Sequence, residues 1–136
     1  MSLATRVVAL RFVIVGVAAA LTHWLVAVLV MHWLTPLLAN VVGFGCAFPV
    51  SFAGHWRWSF REQGADWRQA LPRFALVACS SFAGNEALFA ALLALTGWPA
   101  PATLGLTLLL VASATFLLSR HWAFARRREV DVQAAD

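Results

Sequence analysis

The chain has 136 residues, of which 62% are hydrophobic and 12% are charged, and its formal net charge is +4. Together with a mean hydropathy of +0.78 and a pI of about 11.1, this composition indicates a membrane protein and leaves no room for a soluble catalytic domain. Membrane orientation accounts for the basic charge, so nucleic acid is not expected as a partner.

Four apolar segments each come close to the ~20 residues that a helix needs to cross a ~30 Å hydrocarbon core. They run over residues 8–31, 37–56, 74–96 and 103–118. A backbone in lipid must satisfy its own hydrogen bonds, and four segments cannot close a barrel, so helices are the expected structure. The sequence therefore predicts an all-α integral membrane protein with four transmembrane helices.

Two breaks between these segments are very short and contain residues that end helices. They are "HWLTP" at 32–36 and "TGWPAP" at 96–101, and each holds proline and a Trp suited to the membrane interface. The first and second helices are therefore expected to form one hairpin, and the third and fourth another.

Positive charge is confined to one side of this arrangement. All ten basic residues are arginines outside the two hairpin loops, namely Arg6, Arg11, Arg57, Arg61, Arg68, Arg73, Arg120, Arg126, Arg127 and Arg128. Positive charge next to spanning segments is retained in the cytoplasm. Both termini and the connector between the hairpins are therefore expected on the cytoplasmic side.

The sequence also repeats itself. "SFAGHWRWSF" at 51–60 and "TFLLSRHWAF" at 115–124 share a hydroxyl residue, Phe, a basic cluster, Trp, one residue and Phe. A second pair of similar segments is "RFVIVG" at 11–16 and "RFALVA" at 73–78, which both begin with Arg-Phe. Each repeat is interpreted as one hairpin. Because each crosses the membrane twice, the two hairpin repeats have parallel rather than inverted topology.

These observations predict a single transmembrane domain at residues 1–125. Repeat one is assigned to residues 8–60 and repeat two to residues 72–124, while a cytoplasmic tail at 126–136 is expected to be disordered. Three pairs of small residues spaced four apart are expected to let helices pack closely. They are Gly16/Ala20, Gly43/Ala47 and Ser80/Gly84.

Polar residues inside the spans define a candidate path across the midplane. Glu86 is the only acidic residue in a predicted span, and His23 stands as far from Arg11 as Asn85 stands from Arg73, which predicts similar depth and a shared polar contact. The path is assigned to His23, Asn40, Ser51, Asn85, Glu86 and Thr115. Protonation of Glu86 when substrate is bound makes proton coupling one hypothesis. A structural hydrogen bond between the first and third helices remains the alternative.

A second group of residues is expected at headgroup level on the arginine-rich side. It consists of Arg57, Arg120, Trp58, Trp122, Arg11 and Arg73. A planar guanidinium can donate two hydrogen bonds to a phosphate at once, which favours phosphate capture there. Simple anchoring of helix ends in the headgroup layer remains the alternative.

The order of an Arg-Phe entry, a spanning helix, "LANVVGF" and the exit motif, written twice, resembles the GtrA-like family of small four-helix bacterial membrane proteins. The resemblance covers residues 11–124. Ser51 and Thr115 replace the first Asn of the family's exit motif, and His55 and Ser119 replace the second. Asn85 matches an Asn that is usual in the third helix.

This resemblance implies a flippase of the bacterial inner (cytoplasmic) membrane, a multi-pass protein that translocates polyprenyl-phosphate-linked sugars, such as those on undecaprenyl phosphate. The sugars serve polysaccharide biosynthesis, including that of lipopolysaccharide. The implied partners are membrane lipids, the polyprenyl-linked sugar and a membrane glycosyltransferase. No enzyme activity, catalytic residue, cofactor or metal is expected, because the sequence holds no phosphate-binding loop, metal-ligand cluster or Ser/His/Asp constellation.

Two other function classes remain open. A four-helix chain with one membrane glutamate is also similar to small proton-coupled multidrug exporters, and an arginine-rich face also suits a noncatalytic membrane anchor for a glycosyltransferase. Four short helices make a thin wall around a polar path. A homo-oligomer, dimer or larger, is therefore expected rather than a working monomer.

Overall fold

The protein forms a bundle of apolar helices. The computed structural model describes residues 3–59 and 66–114. Helix α1 covers Leu3–Val30, α2 covers Pro36–Gly54 and continues as a π-helical turn over His55–Ser59, α3 covers Trp67–Thr96, and α4 is described over Ala100–Ala114. The expectation of an all-α membrane protein is confirmed.

Length and composition separate α4 from the other helices. Three helical stretches are long and apolar enough to span a membrane, at Arg6–Val30, Pro36–Trp58 and Trp67–Thr96. The described part of α4 is a shorter apolar helix. The end predicted for the fourth span, Leu118, lies outside the described residues.

Helix α3 begins seven residues before its predicted start at Phe74. Asp66 caps it by accepting a hydrogen bond from the backbone N–H of Arg68 at 3.0 Å, which satisfies one of the free donors of a helix start. Pro72 lies inside the helix without ending it. Because proline has no N–H, the carbonyl oxygen of Arg68, four residues earlier, loses its hydrogen-bond donor. Arg68 is exposed at the helix start, so water can donate to that oxygen instead.

Neighbouring helices run antiparallel. On α2, Gly43 faces His23 and Gly54 faces Val15 of α1. The rings of Phe44 and Phe82 stack with centroids 4.3 Å apart where α2 meets α3, and Phe52 meets Phe74 nearer the other end of α2 at 5.5 Å. Trp24 Nε1 donates to the carbonyl oxygen of Pro101 at 2.9 Å, which ties α1 to α4. Both hairpin bends therefore lie at one end of the bundle, the hairpin end.

The bundle has an apolar exterior and a partly polar interior. Large side chains such as Leu10, Leu29, Leu76 and Leu95 are exposed, as expected of a surface that faces lipid. An apolar core of Ala27, Phe89 and Leu104 joins α1, α3 and α4 toward the hairpin end. Among the described residues, the buried polar side chains are His23, Asn40, His55, Asn85, Thr103 and Thr107.

The prediction that small residues bring helices together is right for one pair. Gly43 and Ala47 are buried, and a Cβ added at Gly43 would lie 2.6 Å from the backbone oxygen of His23. The other two pairs are exposed, and added Cβ atoms at Gly16 and Gly84 meet no described atom within 4 Å. The prediction was wrong for them, because spacing alone does not say which side of a helix meets a neighbour.

Candidate functional site

Four polar side chains from three helices form one hydrogen-bonded group, the polar cluster: His23, Asn40, Asn85 and Glu86. His23 Nε2 lies 2.7 Å from Asn40 Oδ1. Asn40 Nδ2 donates to Asn85 Oδ1 at 3.0 Å and to Glu86 Oε2 at 2.5 Å. Asn40 therefore links α1 to α3, and the shared contact expected between His23 and the Asn85-Glu86 pair runs through it.

The acceptors around Asn40 fix its orientation and the position of one proton. The NH₂ group of Asn40 faces α3, and an ionised Glu86, whose oxygens can only accept, suits this orientation. Its carbonyl oxygen then faces α1, where it accepts from the His23 tautomer that carries a hydrogen on Nε2. Each polar atom of the Asn40 side chain thus has a partner, as a buried amide in an apolar bundle requires.

The polar cluster lies in the half of the bundle next to the hairpin end. At 1.5 Å per residue, His23 is ~10 Å from the end of α1 at Val30, and Asn40 is ~6 Å from the start of α2 at Pro36. Glu86 is ~15 Å from the end of α3 at Thr96. The predicted midplane role of these residues stays a prediction.

A recess of about 160 Å³, called the polar cavity after its two polar lining residues, lies between α1, α2 and α3 and runs from the polar cluster toward the other end of the bundle. Most of its lining is apolar. His23 lines one end and Ser51 the other, while Phe44, Phe48 and Phe74 form much of the wall. Its volume accommodates several water molecules. Two residues of the predicted path, His23 and Ser51, therefore border one space inside the bundle.

The end of the bundle opposite the hairpin bends carries the described arginines and is here called the basic end. The guanidinium carbon of Arg11 on α1 lies 6.0 Å from the ring centroid of Trp58, and that of Arg57 lies 5.7 Å from the ring of Trp56. Both distances allow cation–π attraction. Arg73 is exposed near the start of α3. Arg11 and Trp58, predicted from different motifs, therefore meet at the basic end.

His55 is a site residue that the sequence analysis did not select. It is buried at the start of the π-helical turn, between the polar cavity and the basic end. Its ring stacks on Phe12 at 4.5 Å and lies 6.2 Å from Phe74. These phenylalanines are the second residues of the two Arg-Phe entries. The signal that could have found His55 was its place at the second Asn position of the exit motif. π-Helical turns occur frequently at functional sites.

The structure thus brings the predicted site residues into two groups. His23, Asn40, Asn85 and Glu86 form the polar cluster, with Ser51 at the far end of the adjoining cavity, and Arg11 meets Trp58 at the basic end. Arg120, Trp122 and Thr115 lie outside the described residues. Over residues 3–59 and 66–114, no group of three His, Cys, Asp or Glu side chains could hold a metal ion.

Chemically, this arrangement supplies cations at one end, aromatic walls in the middle and hydrogen-bonding groups inside. The ionisable side chains of the polar cluster, His23 and Glu86, are both partnered through Asn40. Such a site can receive a ligand with an anionic group and hydroxyl groups, because guanidinium binds phosphate and the amide–imidazole–carboxyl group exchanges hydrogen bonds with hydroxyls.

Comparison with known proteins bears on the whole bundle. No curated protein and no solved structure matches the chain. A family model described as the GtrA/DPMS transmembrane domain matches residues 11–124, from the first Arg-Phe entry to the second exit motif. Because this match covers most of the chain and confirms the resemblance seen in its motifs, the protein belongs to the GtrA/DPMS transmembrane domain family.

Proposed function

We propose that this membrane protein takes part in translocating polyprenyl-phosphate-linked sugars across the bacterial cytoplasmic membrane. The single observation that carries the proposal is the polar cavity, which extends between α1, α2 and α3 from the polar cluster toward the basic end and places His23 and Ser51 on its otherwise apolar wall. A polar headgroup cannot cross hydrocarbon without such a path. Family membership supports a role connected with membrane glycolipids.

Capture of the phosphate is assigned to the basic end. Arg11 and Arg57 lie there on neighbouring helices, and each has an indole ring within 6.0 Å. Guanidinium groups bind phosphate with two hydrogen bonds, and the adjacent Trp rings suit the interface where the headgroup is first met. Arg120 and Trp122 are proposed to complete this phosphate site from the second repeat.

Passage of the sugar is assigned to the polar cavity and the polar cluster. The Ser51 hydroxyl and the His23 ring border the cavity, and Asn40 presents the amide behind His23. These groups can replace the hydrogen bonds that sugar hydroxyls lose on leaving water, which lowers the cost of burying them. The step needs no bond cleavage, and the protein is proposed to act without catalysis.

The polar cavity is small for a phosphorylated sugar, which favours a site completed by another protein chain. A volume of about 160 Å³ between three helices requires either opening of the bundle or a further wall. We propose that a second copy of the chain, or a membrane glycosyltransferase that supplies the substrate, provides that wall.

The test is reconstitution into liposomes with leaflet-resolved detection of a polyprenyl-phosphoryl sugar. Wild-type protein is expected to move the lipid-linked sugar between leaflets, and Arg11→Ala is expected to slow this at least tenfold. Arg68→Ala is the matched control, because Arg68 is exposed near the start of α3 beside Trp67 and away from the cavity. Equal slowing by both variants would contradict phosphate capture by Arg11 and would indicate that the arginines only anchor helix ends in the headgroup layer.

The same preparation separates the competing functions. No translocation by the protein alone, combined with co-purification of a glycosyltransferase, would indicate a membrane anchor. Accumulation of an aromatic cation driven by a proton gradient would indicate a multidrug exporter.

A further inference from the structure

A second recess, the apolar groove, lies between α1 and α4 and is separate from the polar cavity for most of its length. Its volume is about 520 Å³. The walls that matter here are Phe12, Gly16, Ala20 and Trp24 on α1 with Gly105 and Leu109 on α4. The only side-chain donor among these six is the Trp24 N–H, and it already donates to Pro101.

Glycines on both walls keep the groove open. A Cβ added at Gly16 would meet no described atom within 4 Å, and one added at Gly105 would come to 3.4 Å from Trp24 Nε1. The hydrogen bond from Trp24 to the carbonyl oxygen of Pro101, 2.9 Å long, holds the indole in place at the hairpin-side limit of the groove. The groove is therefore an open recess between α1 and α4 with the Trp24 indole at its hairpin side.

Its dimensions favour a single hydrocarbon chain over a helix of another protein. From Phe12 to Trp24 the α1 wall is ~18 Å long, so the space between the atoms that line the groove has a mean cross-section of roughly 60 Å². An α-helix ~10 Å in diameter has a cross-section of roughly 80 Å². The groove is therefore too narrow to enclose a helix, whereas an extended apolar chain can lie along it.

The groove is also continuous with the proposed headgroup site. Ala20 lines both the apolar groove and the polar cavity. At the basic end, Phe12 begins the groove directly after Arg11, whose guanidinium lies by Trp58. An amphiphile with a phosphate at Arg11 thus has an apolar slot that starts one residue away.

We propose that the apolar groove binds the isoprenoid chain of the polyprenyl carrier while its phosphate is held at the basic end. This proposal rests on the proposed function for the identity of the carrier. It assigns chain and headgroup to two recesses that share the wall at Ala20, so the headgroup can move through the polar cavity while the chain stays beside α1 and α4.

The experiment measures binding of a long-chain polyprenyl monophosphate, without a sugar, to the purified full-length protein in lipid nanodiscs. Gly16→Leu fills the groove, and Gly84→Leu is its matched control, because Gly84 is also exposed with open space at its Cβ position but lies on α3 away from the groove. Both replacements raise helix propensity equally. Gly16→Leu is expected to weaken binding at least tenfold and Gly84→Leu less than twofold.

A second pair approaches the groove from the opposite wall and covers the case in which Gly16→Leu does not fold. Leu109→Trp adds bulk inside the groove, and Leu110→Trp adds the same bulk at an exposed position that does not line it. Only Leu109→Trp is expected to weaken binding, again at least tenfold. Equal affinities within the glycine pair or within the leucine pair overturn the proposal.

Competition identifies the chain, and the readout is independent of transport. Dioleoyl phosphatidic acid carries a phosphate on straight acyl chains; if it displaces the polyprenyl probe at equal concentration, the groove accepts any lipid tail and the assignment to isoprenoid is overturned. If liposomes show no sugar translocation while Gly16→Leu still abolishes probe binding, the proposed function fails and the groove assignment stands.

Discussion

Asn40 is the residue on which the interior chemistry depends. Its amide accepts from His23 and donates to both Asn85 and Glu86, so one side chain satisfies groups on α1 and α3 together. In lipid the alternative partners are few, which makes an orphaned polar group costly. The sequence placed Asn40 in the polar path but did not distinguish it from the other members.

Replacing Asn40 with Leu is expected to destabilise the bundle by about 2 kcal/mol, since three interhelical hydrogen bonds worth ~0.6 kcal/mol each are lost. Thermal unfolding in detergent measures the change. Thr22→Ala is the control, because the Thr22 hydroxyl donates only to the carbonyl of Ala18 on its own helix. Equal shifts for the two variants would show that the polar cluster does not hold the helices together.

Glu86 gives the residue-scale test of proton coupling. Glu86→Gln keeps an oxygen that accepts from Asn40 Nδ2 but cannot take up a proton, so the fold is expected to survive. If coupling operates, translocation by Glu86→Gln becomes independent of a pH gradient that stimulates the wild type. A Glu86→Gln protein with unchanged rate and unchanged pH response would limit Glu86 to a structural hydrogen bond.

At the scale of elements, the close approach of α1 and α2 depends on glycine at one position. A methyl group at Gly43 would lie 2.6 Å from the His23 backbone oxygen and 2.7 Å from His23 Cδ2. Gly43→Ala is therefore expected to cost about 1–3 kcal/mol by overpacking. It should also separate His23 from Asn40, since both flank this contact.

Gly45, two residues after Gly43 on the same helix, provides the control for that prediction. Its Cβ position is open and it is exposed. Gly45→Ala is expected to stabilise α2 by up to ~1 kcal/mol, because alanine restricts the unfolded chain and favours the helix. Melting temperatures should thus move in opposite directions; a shared direction would contradict the packing described for α1 and α2.

At the scale of the whole molecule, charge and helix direction agree. The antiparallel contacts put both hairpin bends at one end of the bundle, and the described arginines lie toward the other, as the one-sided arginine pattern predicted. The positive-inside rule then assigns the basic end to the cytoplasm. This orientation remains a prediction.

Cysteine labelling in intact cells tests the orientation. In a chain whose Cys46 and Cys79 are replaced by alanine, Trp33→Cys and Trp98→Cys at the hairpin end are expected to react with an impermeant maleimide from outside. Trp67→Cys, at the start of α3, is expected to react only after permeabilisation. Reaction of either hairpin cysteine only after permeabilisation would invert or break the proposed topology.

The two-repeat organisation also stays a prediction, with one feature in its favour. His23 and Asn85 each stand twelve residues after the arginine of an Arg-Phe entry, and both bind the same Asn40 side chain. The entry phenylalanines, Phe12 and Phe74, likewise pack on the same ring, His55. Residues at matching positions of the two predicted repeats therefore contact one residue of α2, Asn40, and one residue of the π-helical turn that follows it, His55.

The sequence by itself determined the all-α membrane class, the hairpin bends and the one-sided charge, because hydropathy, helix-breaking residues and arginine positions act locally along the chain. It also predicted a shared contact between His23 and the Asn85-Glu86 pair from their similar depth, and it included Asn40 in the polar path. Only the tertiary structure showed that Asn40 bridges His23 to Asn85 and Glu86, and that Gly43 but not Gly16 lies at a helix contact. It also showed that His55 is buried against two phenylalanines and that an apolar groove lies between α1 and α4. Those features depend on how each helix is rotated about its own axis. Packing between helices sets that rotation, and the sequence of an apolar segment exposed to lipid does not reveal it.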